Sequence, residues 1–262
     1  HGDRADEETF WNQFRHADLL GSLIQPDPQL TTQLTQHLET LDTGDDLLNA
    51  NTLQRAQHVI TQAQYLQPRY TVSVANPPYM GRKNATVMLV RYLTEAFPEF
   101  KSDLFSAFVR RCSDLCRQGG YVGIMSPNVW MYISAHHHLR RLLIDESDLQ
   151  SLIELPLGGF DGATVQICAY VFGRAQRGDR AAIFIRLVGD RRSATLPITL
   201  RQAVANPQDR NRFEVLRSSF KGLPGEPIVY WIAAKIAPAF ALGTDLSTVA
   251  YTRIGLITGD ND

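Results

Sequence analysis

Between residues 70 and 173, short apolar runs rich in β-branched residues alternate with segments whose apolar side chains recur at helical spacing. That alternation limits the fold more than any other feature of the chain. YTVSVA (70–75), YVGIMS (121–126), LQSLIEL (149–155) and TVQICAYVFG (164–173) read as strands, with 182–187 a further candidate. The spacing predicts helices over 86–97, 103–117 and 135–144; Ser102 is the expected N-cap of the second and Gly119-Gly120 its stop. Strands alternating with helices imply a parallel α/β sheet. YVGIMS, apolar along its length, is expected to be buried on both faces. No helix separates the last two strands, so an antiparallel β-hairpin is expected to end the sheet. Upstream, 31–66 is helical with a break near Gly44, and beyond Ser193 prolines at 197, 207, 224, 227 and 238 read as loops around short elements.

Composition narrows the class. With 44 % hydrophobic and 20 % charged residues in 262, the chain is neither disordered, collagenous nor membrane-like, and no apolar run approaches the roughly 20 residues of a membrane span. Cys112, Cys116 and Cys168 are too few for a disulfide framework and lack paired zinc spacing, which points to a reducing, cytoplasmic setting. A net charge of −1 excludes a uniformly basic nucleic-acid coat. Acidic residues dominate the first fifty positions and arginines the stretch from Arg174 to Arg217. This asymmetry fits a nucleic-acid-facing C-terminal part and equally fits a general preference for arginine, since lysine occurs only at 83, 101, 221 and 235.

The informative tetrapeptide is Asn76-Pro77-Pro78-Tyr79, directly after a strand and before the polar loop Gly81-Arg82-Lys83-Asn84. Ligands of open α/β sheets sit beyond the carboxyl ends of the strands. An exocyclic amine such as adenine N6 is a poor nucleophile because its lone pair is conjugated into the ring. The Asn76 amide oxygen and the Pro77 carbonyl can each accept one N–H, drawing the amine toward tetrahedral geometry. The prolines fix φ and remove competing donors, so the acceptors are held in advance. Tyr79 offers a flat face to a base rotated out of a duplex. The rival reading is a proline-rich turn after a strand.

NPPY, followed by KSDLFSAFVRRC (101–112), GGYVGIMSPNVWM (119–131) and GGFDGATVQICAYVFG (158–173), resembles in order and spacing the later motifs of the N6-adenine-specific DNA methyltransferases. HADLLGSLI (16–24) and GLITGDND (255–262) resemble more particularly the PglX-type methylases of BREX phage-defence systems and their fused restriction–methylation relatives. The resemblance implies a Rossmann-like S-adenosylmethionine-dependent methyltransferase fold with a helical N-terminal insertion. It implies S-adenosyl-L-methionine as cofactor, double-stranded DNA as substrate, defence-system or restriction subunits as partners, and no membrane. By it, Asn76 and Pro77 bind the target amine, Pro78 stiffens the turn and Tyr79 stacks on the flipped adenine. Phe160 stacks on the base's other side, Phe108 packs against the cofactor's adenine, and Arg82 and Lys83 grip phosphates. Phe108 has simple core packing as its alternative, and Arg82 and Lys83 a plain surface role.

The family's glycine-rich cofactor turn and ribose-binding acidic residue have no counterpart here. The expectation is a target-base half of a catalytic domain that, alone, binds S-adenosylmethionine weakly and is inactive. Three parts follow: a helical segment (1–69), the C-terminal half of the catalytic domain (70–174), and a linker with the start of a target-recognition region (175–262). Other acceptors (RNA, a protein glutamine amide) and a non-catalytic DNA-binding or assembly module stay open as rivals. Other clusters read as structural. His136-His137-His138 diverge by about 100° per residue on a helix and cannot close one metal site; no metal is expected. Cys112 and Cys116 read as buried thiols, Glu95, Glu99 and Asp103 as a solvated face, and Ser126-Pro127-Asn128 lacks the glycines of a nucleophile elbow.

Overall fold

In a computed structural model the described residues are 4–41, 47–68, 70–158, 165–175, 178–188, 195–221, 223–232, 238–239, 242–244 and 248–251. Helices α1 (Arg4–Gln13), α2 (Ala17–Leu20), α3 (Pro28–Thr40) and α4 (Leu47–Tyr65) precede the first strand. α3 starts three residues before the expected helix at 31: Asp27 accepts from the Leu30 N–H, and Pro28 occupies the first helical position. The expected break near Gly44 lies outside the described residues.

The chain then runs β1 (Tyr70–Ala75), α5 (Val87–Ala96), α6 (Leu104–Leu115), β2 (Cys116–Pro127), α7 (His137–Arg141), β3 (Asp148–Glu154) and β4 (Ile167–Gly173). The chain continues through β5 (Ala181–Arg186), α8 (Leu196–Ala205) and β6 (Arg212–Leu216). All six strands form one mixed sheet in the order β1-β2-β4-β3-β5-β6. β1 pairs parallel with β2, and β3 parallel with β5; β4 lies antiparallel between β2 and β3, and β6 antiparallel on β5. The α/β character and the β3–β4 hairpin are as expected.

Three expectations need correction. The sheet does not end at the hairpin, because β5 returns alongside β3 and β6 closes on β5. The stretch beyond Ser193, expected as loops around short elements, contributes α8 and an edge strand that extends the same sheet. Pro197 falls at the first turn of α8, and Pro207, Pro224 and Pro227 lie outside the strands and helices before and after β6, where they disrupt nothing. Gly119-Gly120 does not stop α6 so much as sit inside a longer β2. A Cβ on Gly120 would lie 2.7 Å from the Thr71 carbonyl oxygen, so only glycine permits the backbones to approach there, at the irregularity in the β1–β2 register.

One hydrophobic core joins the helical layer to the sheet, with α5 contributing Leu89 and Leu93 and α6 contributing Phe105, Ala107 and Val109 against Val122, Ile124 and Phe172. The junction with the N-terminal helices is polar at its centre. Arg111 of α6, 3 % exposed, donates to the carbonyls of Ser22 (2.8 Å), Ile24 (2.6 Å) and Leu66 (2.7 Å). The HADLLGSLI segment and the end of α4 are thus tied to the sheet through one guanidinium, reinforced by the Tyr92 hydroxyl donating to the Leu23 carbonyl at 2.8 Å. Arg140 plays the same part on the other side, donating to the carbonyls of Trp130, Ile133 and Gly225.

Candidate active site

β1, β2, β3 and β5 all point the same way, so their carboxyl ends share one edge with the amino ends of β4 and β6. Asn76 to Tyr79 leave that edge from β1. Asn76 and Pro78 are exposed, Pro77 is buried, and Tyr79 is 37 % exposed. The corner is open to solvent. Its acceptor is engaged by its own neighbour: the Tyr79 hydroxyl donates to Asn76 Oδ1 at 2.7 Å. Partial burial, with Cys168 beside it, pushes the Tyr79 phenol upward, so it stays a donor at neutral pH.

Asp103 fixes the exit of this loop. It accepts from the backbone N–H of Met80 (3.3 Å) and of Phe105 (3.2 Å), while the Leu104 N–H donates to the Met80 carbonyl and Gly81 bridges back to Asp103. One carboxylate caps α6 and clamps the segment after Tyr79. The expected N-cap, Ser102, instead sits 3.1 Å from His136 Nδ1. Asp103 also departs from the solvated face assigned to it: burial raises its pKa, opposed by the backbone N–H groups it accepts from. Arg82 and Lys83 are exposed on a short 3-10 turn just after the corner. Phe108 is half-buried on α6 and packs against the core. Phe160 lies outside the described residues.

A second cluster on the same edge was not anticipated. Glu154, the last residue of β3, is 2 % exposed. Its Oε1 accepts from Asn128 Nδ2 (2.8 Å), the Tyr132 hydroxyl (3.2 Å) and Gln166 Nε2 (3.2 Å), and its Oε2 from the Tyr230 hydroxyl (2.7 Å). Arg186 Nε stands 3.7 Å from Oε2, with its guanidinium 4.1 Å over the Trp231 ring. Burial beside this carboxylate drives both tyrosine hydroxyls far above their usual range, which keeps them protonated as donors. The sequence did hold a signal: an acidic residue closing an otherwise apolar strand, in LIELP.

The remaining candidates resolve as packing. Cys112, Cys116 and Cys168 are all buried, and burial pushes the Cys168 thiol up to about 12. His136 is buried against Phe105, and burial with Arg140 nearby lowers it to about 4. Among the described residues no three His, Cys, Asp or Glu side chains are grouped to hold a metal ion, and no helix is long and apolar enough to cross a membrane.

The sheet, with helices packed against it and a β4 strand running against its neighbours, is an α/β fold. A chain from a structure of a type I restriction–modification system aligns at 14 % identity and a TM-score of 0.50 over 76 % of this chain and 51 % of its own. The model of the Eco57I restriction-modification methylase family matches residues 9–160, more than half of the sequence, and the chain belongs to that family. It is 31 % identical over 242 residues to the adenine-specific methyltransferase BrxX of Escherichia coli O9:H4 (strain HS), covering 88 % of this chain and 20 % of BrxX. It is 27 % identical over 209 residues to the adenine-specific methyltransferase PglX of Lacticaseibacillus casei (strain Zhang), covering 78 % of this chain and 17 % of PglX. The chain spans about a fifth of the length of these relatives.

Proposed function

We propose that this chain forms the target-base half of an S-adenosylmethionine-dependent DNA methyltransferase that modifies adenine at N6, serving restriction–modification or phage defence in the cytoplasm. The observation that carries the reading is the exposed Asn76-Pro77-Pro78-Tyr79 corner at the carboxyl edge of the sheet. Double-stranded DNA is its substrate, and restriction or defence subunits are its partners.

The residues act in named ways. Asn76 Oδ1 and the Pro77 carbonyl accept the two N–H bonds of the target amine and orient its lone pair. For that, the Tyr79 hydroxyl leaves Asn76 Oδ1, and its ring turns to stack on the everted adenine. Asp103 holds the far end of the loop still while Tyr79 moves. Arg82 and Lys83, both exposed, grip phosphates beside the extruded nucleotide, and Phe160 closes on the base from the other side. The cofactor supplies an electrophilic sulfonium methyl. Phe108 fits its adenine: the ring is anchored to the core on one side and half-open on the other.

Methylome sequencing of hosts carrying the full-length gene tests the reading. The intact gene yields N6-methyladenine at one recurrent motif, and Asn76→Ala abolishes it. No methylation from the intact gene overturns the proposal in favour of a non-catalytic module, and modified RNA or glutamine in its place overturns the substrate.

A further inference from the structure

Glu154 lies too deep to touch substrate, yet it gathers four donors from three separate segments of one sheet edge. Asn128 and Tyr132 come from the turn after β2. Gln166 precedes β4, and its bond to Glu154 joins the two ends of the connection that carries Phe160. Tyr230 belongs to the 227–232 segment, which also reaches this edge through the Ile228 N–H donating to the Met131 carbonyl at 2.9 Å.

The register sets the scale. Ser126, Cys168, Glu154 and Arg186 form one row across β2, β4, β3 and β5. Ala75 pairs with Ile124, so the same row extended to the chain leaving β1 meets Pro77. Three strand spacings separate Glu154 from that point, about 14 Å. A carboxylate at this range makes no bond to the target amine, but two of the side chains it holds, Asn128 and Tyr132, belong to the turn that follows β2, the strand paired with β1. Tyr132 is 36 % exposed, with its ring 6.2 Å from that of Trp231.

We infer that Glu154 is a positioning residue: it couples the 227–232 segment, through Tyr230, to the turn after β2, which leaves the sheet edge next to the chain that leaves β1 for the target-base corner. The inference rests on the proposed function. Every partner is a donor, so the cluster needs an acceptor at both oxygens, and a glutamine puts an N–H₂ where at least one donor now points. Removing the Tyr230 hydroxyl alone cuts the bond from Glu154 itself to 227–232, leaving its other three bonds and the Ile228–Met131 bond in place.

The test uses the full-length protein, Glu154→Gln and Tyr230→Phe, and duplexes carrying the motif found by methylome sequencing. Single-turnover methylation of pre-bound DNA is measured well below the melting temperature. A 2-aminopurine at the target position reports how much of the base is everted. Both variants are expected to bind the duplex as the wild type does, to transfer methyl about tenfold more slowly or worse, and to show a matching loss of 2-aminopurine fluorescence. Rates and fluorescence unchanged from the bound complex, with only melting temperature or DNA affinity altered, would make Glu154 a plain structural residue and overturn the inference. Absence of transfer by the wild type overturns the reading of function and this inference with it. An active wild type beside unaffected variants overturns the inference alone.

Discussion

The corner at 76–79 and the cluster around Glu154 share one sheet edge, but they hold their polar groups by different means. The corner is four contiguous residues with a proline-stiffened backbone; Asn76 and Pro78 stand in solvent, while Pro77 is buried and Tyr79 is 37 % exposed. The cluster is assembled from residues 128, 132, 154, 166, 186 and 230, and its carboxylate is buried. The first is stiff before the sheet forms; the second exists only once the sheet has formed. On the proposed reading, the short motif carries chemistry without carrying stability, while the network beside it carries stability and positions the turn after β2.

Substitutions can break that contrast. Asn76→Ala removes an exposed amide, so it should cost methyl transfer about a hundredfold or more yet leave stability within about 0.5 kcal/mol. Glu154→Ala leaves four buried or half-buried donors without their acceptor and should destabilise the fold by about 3 kcal/mol, read by denaturant unfolding. Equal losses of stability in the two variants would erase the distinction.

The difference explains what was legible in the sequence. The strands from 70 to 173 and the NPPY corner announce themselves through local pattern, because period and turn chemistry act over a few residues. The helix expected over 86–97 likewise appears as α5, with Thr86 as its cap. Asp103 and Glu154 do not, because their partners lie 23 residues (Met80) and 76 residues (Tyr230) away in the chain. β6 was hidden for a related reason: RFEVL is short, its burial is partial, and what makes it a strand is the edge β5 offers. Arg111 sits in an apolar helix as an apparent surface charge, yet it serves three carbonyls of the N-terminal layer.

His136 sharpens the contrast through pH. Its folded pKa, lowered to about 4, lies below the ordinary value, so the unfolded chain binds the proton more readily. Stability is fully present above about pH 6.5 and declines as pH falls toward 4, by up to about 3 kcal/mol. Thermal melts across that range should show the slope in the wild type and lose much of it in His136→Gln. Identical slopes would place the titration elsewhere.

At the corner itself, Tyr79→Ala should slow transfer about tenfold or more through the lost stacking face. Tyr79→Phe keeps the ring and frees Asn76 Oδ1, so its effect should be the smallest, within about threefold of wild type. A phenylalanine variant as damaged as the alanine one would mean that the hydroxyl, rather than the ring, is what the substrate meets.

A structure of the full-length protein on its duplex, with a non-transferable cofactor analogue bound, addresses the corner most directly. The account predicts an adenine swung out of the helix, its N6 about 3 Å from both Asn76 Oδ1 and the Pro77 carbonyl oxygen, with the Tyr79 ring against its face. An adenine lodged anywhere else, with the Tyr79 hydroxyl still resting on Asn76, would contradict it.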